Sequence, residues 1–264
     1  MSSLFTPGRK VIVGMVHLLP LPGSPRFRGS MREIIRRARS DLRALLKGGV
    51  DAVLIENFGD APYPVRSLPL ISLMAMAYVV GRLAQEIRRP FGINIQFNQF
   101  KAEVALAAAS GAQFVRVEGF VDNLLTDSGW SPACAAEVSR LRAQWAKALQ
   151  IWADIHVKEA IVLGERPLVE TARAAIANMA DVLIVTGART GVETPVQAVE
   201  AVKAVAPCPV LIGSGLNPSN AAHLLRIADG AIVGTYFKKD GRVGNPVDPE
   251  RVAELVTLAR RLED

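Results

Sequence analysis

Val11-Ile-Val-Gly-Met-Val-His-Leu-Leu-Pro-Leu-Pro-Gly-Ser-Pro25 reads as a short apolar strand that runs straight into a proline-stiffened loop. The two-residue period of a strand puts Val11, Val13, Met15 and His17 on one face and Ile12, Gly14 and Val16 on the other. His17 therefore ends an interior row just where the backbone leaves the sheet. Pro20, Pro22 and Pro25 fix φ and remove backbone donors, while Gly23 permits a turn that a bulkier residue resists. The loop is expected to wall whatever cavity His17 faces.

The same unit, an apolar strand followed by a helical pattern, recurs along the chain without a linker. Strands are predicted at 11–16, 52–56, 92–97, 114–118, 151–157, 182–185, 210–212 and 231–234. Helices are predicted near 31–47, 68–88, 99–110, 132–149, 165–179, 195–205, 218–227 and 249–262. Thr194-Pro195, Asn217-Pro218 and Asp248-Pro249 each pair an N-cap with proline at the first helical position. Such alternation demands parallel pairing. The longer loops, 18–30, 57–67, 119–131 and 187–194, all follow strands, as in a (β/α)8 barrel whose active site lies at the strands' C-terminal ends. A single barrel domain over 1–264 is expected. An open doubly wound sheet is the alternative, but no G-x-G-x-x-G follows the first strand.

Composition narrows the class further. The chain is 50% hydrophobic and 21% charged, a globular balance, with a net charge of +6. Its positive charge is spread over helices such as 34–47 without interleaved aromatics, so a solvated face is expected rather than a nucleic-acid surface. Cys134 and Cys208 are isolated and make neither a disulfide framework nor a metal-type pair; buried thiols are expected. Residues 1–10 lack an apolar signal core, and no apolar run reaches the roughly 18 residues of a membrane span, so a soluble cytoplasmic protein is expected. Met74 and Met76 are expected to fill the core, and His223 to lie on a helix surface or helix contact.

A barrel interior is normally filled by Val, Ile and Leu, yet several strands here carry polar residues on the inner face. In Trp152-Ala-Asp-Ile-His-Val-Lys158 the period of two aligns Trp152, Asp154, His156 and Lys158, with Ala153, Ile155 and Val157 toward the helices. The same rule groups Asn94, Gln96 and Asn98, and Arg116 with Glu118, while Glu56 ends the second strand. Unpaired burial of such groups costs several kcal/mol each, so they must pair, bind a ligand, or both. Lys158 can act as a general base, as a cation for an oxyanion or as a Schiff-base nucleophile, or it can simply plug the barrel in a salt bridge to Glu56, Glu118 or Asp154. Glu56, Glu118 and His17 are candidate acid/base groups, with Asp154 and His156 tuning Lys158. No cofactor is implied. A divalent metal held by Glu56, Glu118, Asp154 and His156 stays open, although no zinc-type spacing supports it.

Leu211-Ile-Gly-Ser-Gly-Leu-Asn-Pro218 follows the seventh strand, and Gly230-Ala-Ile-Val-Gly-Thr-Tyr-Phe-Lys238 contains the eighth and its exit. In phosphate-binding barrels these two loops form the cradle. Gly213, Ser214, Gly215, Gly234 and Thr235 are therefore expected to hold phosphate, with Lys238 adding charge. Such loops liken the chain to barrels of the ribulose-phosphate-binding type. Asn94, Asn98, Arg116, His156, Thr186 and Gly187 are the expected substrate-orienting residues. Two loops can cover a ligand: 187–194, with Arg189 and Thr190, and 119–131, with Asp122, Asn123, Asp127 and Trp130. Either can instead be an interface in a homo-oligomer.

The opening block 14–25 resembles the signature of the BtpA family, named for a photosystem I biogenesis protein. The resemblance continues in Asp51-Ala-Val-Leu-Ile-Glu-Asn57, Ala153-Asp-Ile-His-Val-Lys158, Gly213-Ser-Gly215, Ala228-Asp-Gly-Ala-Ile-Val-Gly-Thr235 and Lys238-Lys-Asp-Gly241, covering nearly the whole chain. It implies a single TIM-like barrel. Where the family pattern often has histidine after Ile-His-Val-Lys, this chain has Glu159, on the side expected to face the helices. Two functions follow as expectations. One is an isomerase or lyase acting on a phosphorylated sugar or ribosyl metabolite; the other is a non-enzymatic assembly or stability factor.

Overall fold

In a computed structural model of the chain, which describes residues 4–164, 166–187 and 191–263, eight parallel strands close into a barrel. They are β1 (Val11–His17), β2 (Ala52–Glu56), β3 (Phe91–Asn94), β4 (Phe114–Val117), β5 (Gln150–Ile155), β6 (Val182–Val185), β7 (Val210–Ile212) and β8 (Gly230–Val233). Each strand pairs with its sequence neighbours, and Val11 opposite Gly230 closes the ring. Around it lie α1 (Met31–Gly48), α2 (Leu70–Ala84), α3 (Phe100–Ser110), α4 (Ala135–Trp145), α5 (Leu168–Ala177), α6 (Val196–Lys203), α7 (Pro218–Ile227) and α8 (Pro249–Arg260). The expected (β/α)8 architecture is therefore observed.

The start of every second strand carries the same device. Asp51, Gln113, Asp181 and Asp229, each just before an even-numbered strand, accept a hydrogen bond from the backbone N–H of Ile12, Phe91, Ile151 and Val210 on the preceding strand, at 2.7–2.8 Å. Three of them also carry a cation: Asp51 pairs with Arg9 and Arg260, Asp181 with Arg142, and Asp229 with Lys203. These bonds satisfy strand-end donors that the parallel ladder leaves open. They also pin the register at the N-terminal edge.

Inside the barrel, polarity rises along the strands. The lower interior is apolar, with Phe114 and Trp152 stacked at 3.7 Å and Val11, Leu54, Val182 and Leu211 packed with them. Phe114 fits because Gly92 on the adjoining strand has no Cβ to strike its ring. A larger apolar layer separates strands from helices.

Several expected boundaries shift. β3 ends at Asn94 rather than residue 97, because Glu103 takes the Ile95 N–H at 2.6 Å and Asn57 takes the Gln96 N–H at 2.7 Å, pulling the backbone out of the ladder. β5 ends at Ile155, where His156 adopts φ 51° and Glu159 φ 58°. Thr194 does not cap α6; its hydroxyl donates to the Ser214 carbonyl at 3.1 Å. Of the two methionines expected in the core, Met76 is fully buried but Met74 is 57% exposed, beside Leu70, Ile71 and Tyr78 on the outer face of α2. Cys134 is buried, Cys208 is half-buried and His223 is exposed. Among the described residues no helix is long and apolar enough to cross a membrane.

Removing the Asp51 carboxylate strands one backbone donor and two arginines. We expect Asp51→Ala to cost on the order of 2–3 kcal/mol in urea denaturation, with an unchanged m-value.

Candidate active site

At the C-terminal end of the barrel lies a cavity of about 450 Å³. Its floor is polar. Arg116 of β4 and Asp154 of β5 form a fully buried bidentate pair, with Nε to Oδ2 at 2.8 Å and Nη2 to Oδ1 at 3.1 Å. Above them the cavity is lined by His17, Glu56, Glu118 and Lys158, each delivered by the end of a different strand or the turn after it. Lys158 makes no ion pair among the described residues, so the barrel-plug salt bridge is not formed.

The two glutamates differ in their support. Glu118 is held on both oxygens: Oε1 accepts from Asn94 Nδ2 at 2.7 Å and Oε2 from the Asn98 backbone N–H at 3.0 Å. Burial raises its pKa to about 7, against the opposing pull of Arg116 and of the Asn94 bond. Burial likewise raises Glu56, against Arg116 and Lys158. The amine of Lys158 shifts the other way, lowered first by burial and then by Arg116. Burial, followed by the positive field of Lys238, Lys158 and Arg116, holds His17 well below 6.5, so its imidazole is neutral. That ring stacks on Phe58 at 4.4 Å, and its Nδ1 is buried without a partner. Gly234 leaves room for it: a Cβ there would sit 2.9 Å from His17 Cε1.

The loops after β7 and β8 bring Gly213, Ser214, Gly215, Gly234 and Thr235 to the cavity wall. The backbone N–H groups of Ser214, Gly215 and Thr235 make no hydrogen bond among the described residues, whereas that of Gly213 is committed to Val185 O at 2.8 Å. Gly213 serves packing instead, since a side chain would collide with Thr186 and Ile184. The Ser214 hydroxyl is also engaged, accepting from Gly187 N at 3.0 Å and donating to Val192 O at 3.2 Å.

Several expected site residues stand elsewhere. Lys238 is wholly buried and pairs with Asp41 of α1 at 3.3 Å, so its ammonium braces the β8 exit and does not reach the cradle. His156 turns away at its positive φ, with Nε2 3.2 Å from the Thr171 hydroxyl of α5. Asn94 and Asn98 line no part of the cavity. Asn94 bonds Glu118, Glu103 and the Arg116 carbonyl, and Asn98 bonds Ser131, Pro132 and the Gly119 N–H. Thr186 and Gly187 lie behind the cradle, the Thr186 hydroxyl meeting His156 O at 3.4 Å. Val157 and Glu159, expected toward the helices, line the cavity because the turn at His156 breaks the two-residue period.

The proline loop is not a wall either. It buttresses the loop after β2 through Leu21 N to Asp60 Oδ1 at 2.7 Å, and the first turn of α2 through Ser72 Oγ to Pro22 O at 2.7 Å. Of the two covering loops, 119–131 folds into a hairpin (Leu124–Thr126 and Gly129–Ser131) joined by Ile161–Val162, and its tip lines the cavity. Arg189 and Thr190 of the other lie outside the described residues. Of the four residues considered for a metal, Glu118, Asp154 and His156 are drawn to separate partners, and no cluster of three His, Cys, Asp or Glu suited to a metal occurs among the described residues.

Three residues went unread in the sequence. Glu103 of α3 is wholly buried and raised well above 4.5 by burial and then by Glu118; it shares the Asn94 amide with Glu118. Arg251 of α8 reaches the cavity beside the cradle, its Nε donating to Tyr236 O at 2.6 Å and its guanidinium over the Tyr236 ring. Tyr63 lines the opposite side. A glutamate and an arginine inside helices carry no local signal that separates them from surface charges.

Glu118 makes stability depend on pH. A carboxyl whose folded-state pKa exceeds its unfolded value stabilises the fold below the unfolded value, and that contribution is lost as pH rises through the folded one. For Glu118 the window runs from 4.5 to about 7. The urea midpoint should therefore fall across this window, and fall less in Glu118→Gln. Equal declines in the two proteins would mean that Glu118 is ionised throughout.

The model of the BtpA family matches residues 8–261. An uncharacterized protein of Pyrococcus abyssi is 39% identical over 97% of this chain and 98% of its own length. The photosystem I biogenesis protein BtpA of Synechocystis sp. is 36% identical over 93% of this chain and 86% of its own. Among solved structures, a thiamine phosphate pyrophosphorylase from Pyrococcus furiosus superposes with a TM-score of 0.60 over 97% of this chain and 98% of its own, at 16% identity, a likeness of fold. By the extent of the family match and these identities, the chain belongs to the BtpA family.

Proposed function

We propose that the protein is an enzyme acting on a phosphorylated sugar or ribosyl metabolite, by isomerase- or lyase-type acid/base chemistry at the C-terminal face of the barrel. One observation carries the reading. The open N–H groups of Ser214, Gly215 and Thr235, with Arg251 beside them, share a cavity with Lys158, Glu56 and Glu118. Open donors at a wall of this kind suit a phosphate dianion, and an arginine suits it further.

The reacting end follows from the shifted groups. A lysine lowered by burial gives up its proton more readily than a free one and so serves better as a base, and a carboxyl raised to about 7 keeps a proton to give. Lys158 removes a proton next to a carbonyl or steadies a developing oxyanion; Glu118 or Glu56 donates its own proton to the carbonyl oxygen or to the leaving oxygen or nitrogen of a C–O or C–N bond. Neutral His17 lines the cavity beside them without adding charge. Arg116, fixed by Asp154, offers a constant positive field beneath the substrate.

The second reading, a non-enzymatic assembly factor, is favoured by the name of the Synechocystis relative and by the exposed apolar face of α2. A partner retained stoichiometrically after Lys158 and Glu56 are both replaced would support it.

In the enzymatic reading, Lys158→Ala lowers turnover by about 10²–10⁴-fold while binding of a sugar phosphate, followed by thermal shift, survives. Unchanged turnover would remove Lys158 from the chemistry. Arg251→Ala instead weakens sugar-phosphate binding by about tenfold or more, since it removes a charge-assisted bond. An unaltered affinity would place the phosphate elsewhere.

A further inference from the structure

The wall across from the glycine cradle has a different chemistry. Phe97, Tyr63 and Pro62 meet there, and Phe97 packs with Val157 and Leu124 in a small apolar cluster of its own. The Tyr63 hydroxyl donates to Phe58 O at 2.7 Å, so the ring, rather than a free donor, is what Tyr63 adds to the wall. The amides of Asn94 and Asn98, which could have served hydroxyl groups, are turned to Glu118 and Ser131. A bare sugar phosphate presents hydroxyls and charge, and this wall offers it almost nothing to bond. A planar apolar face does match it.

The rim above the wall is polar again. At the hairpin tip the Asp127 carboxylate and the Ser128 hydroxyl are exposed at the cavity edge and engage no group among the described residues. Stacking surface below with hydrogen-bonding groups at the edge is the combination that recognises a heterocyclic base.

Resting on the sugar-phosphate reading above, we infer that the ligand is a nucleoside monophosphate or a close analogue. Its phosphate lies at the Ser214–Gly215 and Thr235 amides, its ribose over Lys158 and Glu56, and its base against Phe97 and Tyr63 with the base edge at Asp127 and Ser128. The volume agrees: a cavity of about 450 Å³ falls in the range that holds drug-sized ligands, which includes a nucleotide.

The test is calorimetric or thermal-shift titration of the full chain with ribose 5-phosphate, with purine and pyrimidine nucleoside 5′-monophosphates, and with the matching nucleosides. At least one monophosphate should bind about tenfold or more tightly than ribose 5-phosphate, from the energy of one stacked base. Phe97→Leu and Tyr63→Leu should each erode that advantage and leave ribose 5-phosphate affinity unchanged, which also shows that the variants fold. Equal binding of ribose 5-phosphate and every monophosphate overturns the base site and leaves the sugar-phosphate reading standing. An advantage that survives both substitutions overturns the placement of the base. Nucleosides binding as tightly as their monophosphates, or no binding of any phosphate ester, would overturn the cradle and the reading beneath it.

Discussion

The polar floor of the cavity depends on the pairing of Arg116 with Asp154. A guanidinium cannot shed its charge, so at the centre of a barrel it must meet a carboxylate with matched geometry or destabilise the fold. Asp154 meets it with two hydrogen bonds. Once paired, the couple sets the electrostatics above it: Arg116 opposes the upward shift of Glu56 and Glu118 and adds to the downward shift of Lys158. Burial is what moves the carboxyls up and the amine down; Arg116 holds the carboxyls back from that rise and lowers the amine further.

That arrangement needs an exact register, because a slip of one residue would send Arg116 and Asp154 to the helix side. The acceptors at Asp51, Gln113, Asp181 and Asp229 supply it from the opposite end of the barrel. Their spacing groups the eight strand–helix units into four couples, in which the first strand donates and the residue before the second accepts. Stability is thus concentrated at the N-terminal edge, and the C-terminal loops are left to carry the cavity. Glu103 extends the same logic outward: a buried carboxyl on α3 holds the Ile95 N–H and the Asn94 amide, and through Asn94 it steadies Glu118.

Sequence periodicity carried the reading as far as the strands themselves extend. Trp152, Asp154, Phe114 and Arg116 lie inside as the two-residue period requires, and Glu56 and Lys158 meet in one cavity. Beyond Asn94 and Ile155 the backbone turns, and the same rule then misplaces Asn98, His156, Val157 and Glu159. Lys158 reaches the cavity by that turn, not by strand register. Lys238 fails for another reason: a lysine next to a glycine loop has the look of a phosphate ligand, and only the approach of Asp41, far away on α1, claims it. The clasp residues were legible in principle, since Val50-Asp51, Ala112-Gln113, Ala180-Asp181 and Ala228-Asp229 repeat an acceptor before alternate strands.

By itself, then, the sequence determined the barrel, its order of units, and the end at which polar groups and glycines gather. These follow from alternation and from the cost of burying charge, which are local or additive along the chain. Which groups stay available was decided only by tertiary structure. A side chain's partners come from elements distant in sequence: Asp41 takes Lys238, Glu118 takes the Asn94 amide, Asp154 takes Arg116, and α8 brings Arg251 to the cavity. Hydrogen-bonding capacity is finite, so what the fold consumes internally it withholds from a ligand, and that account closes only when the chain has folded.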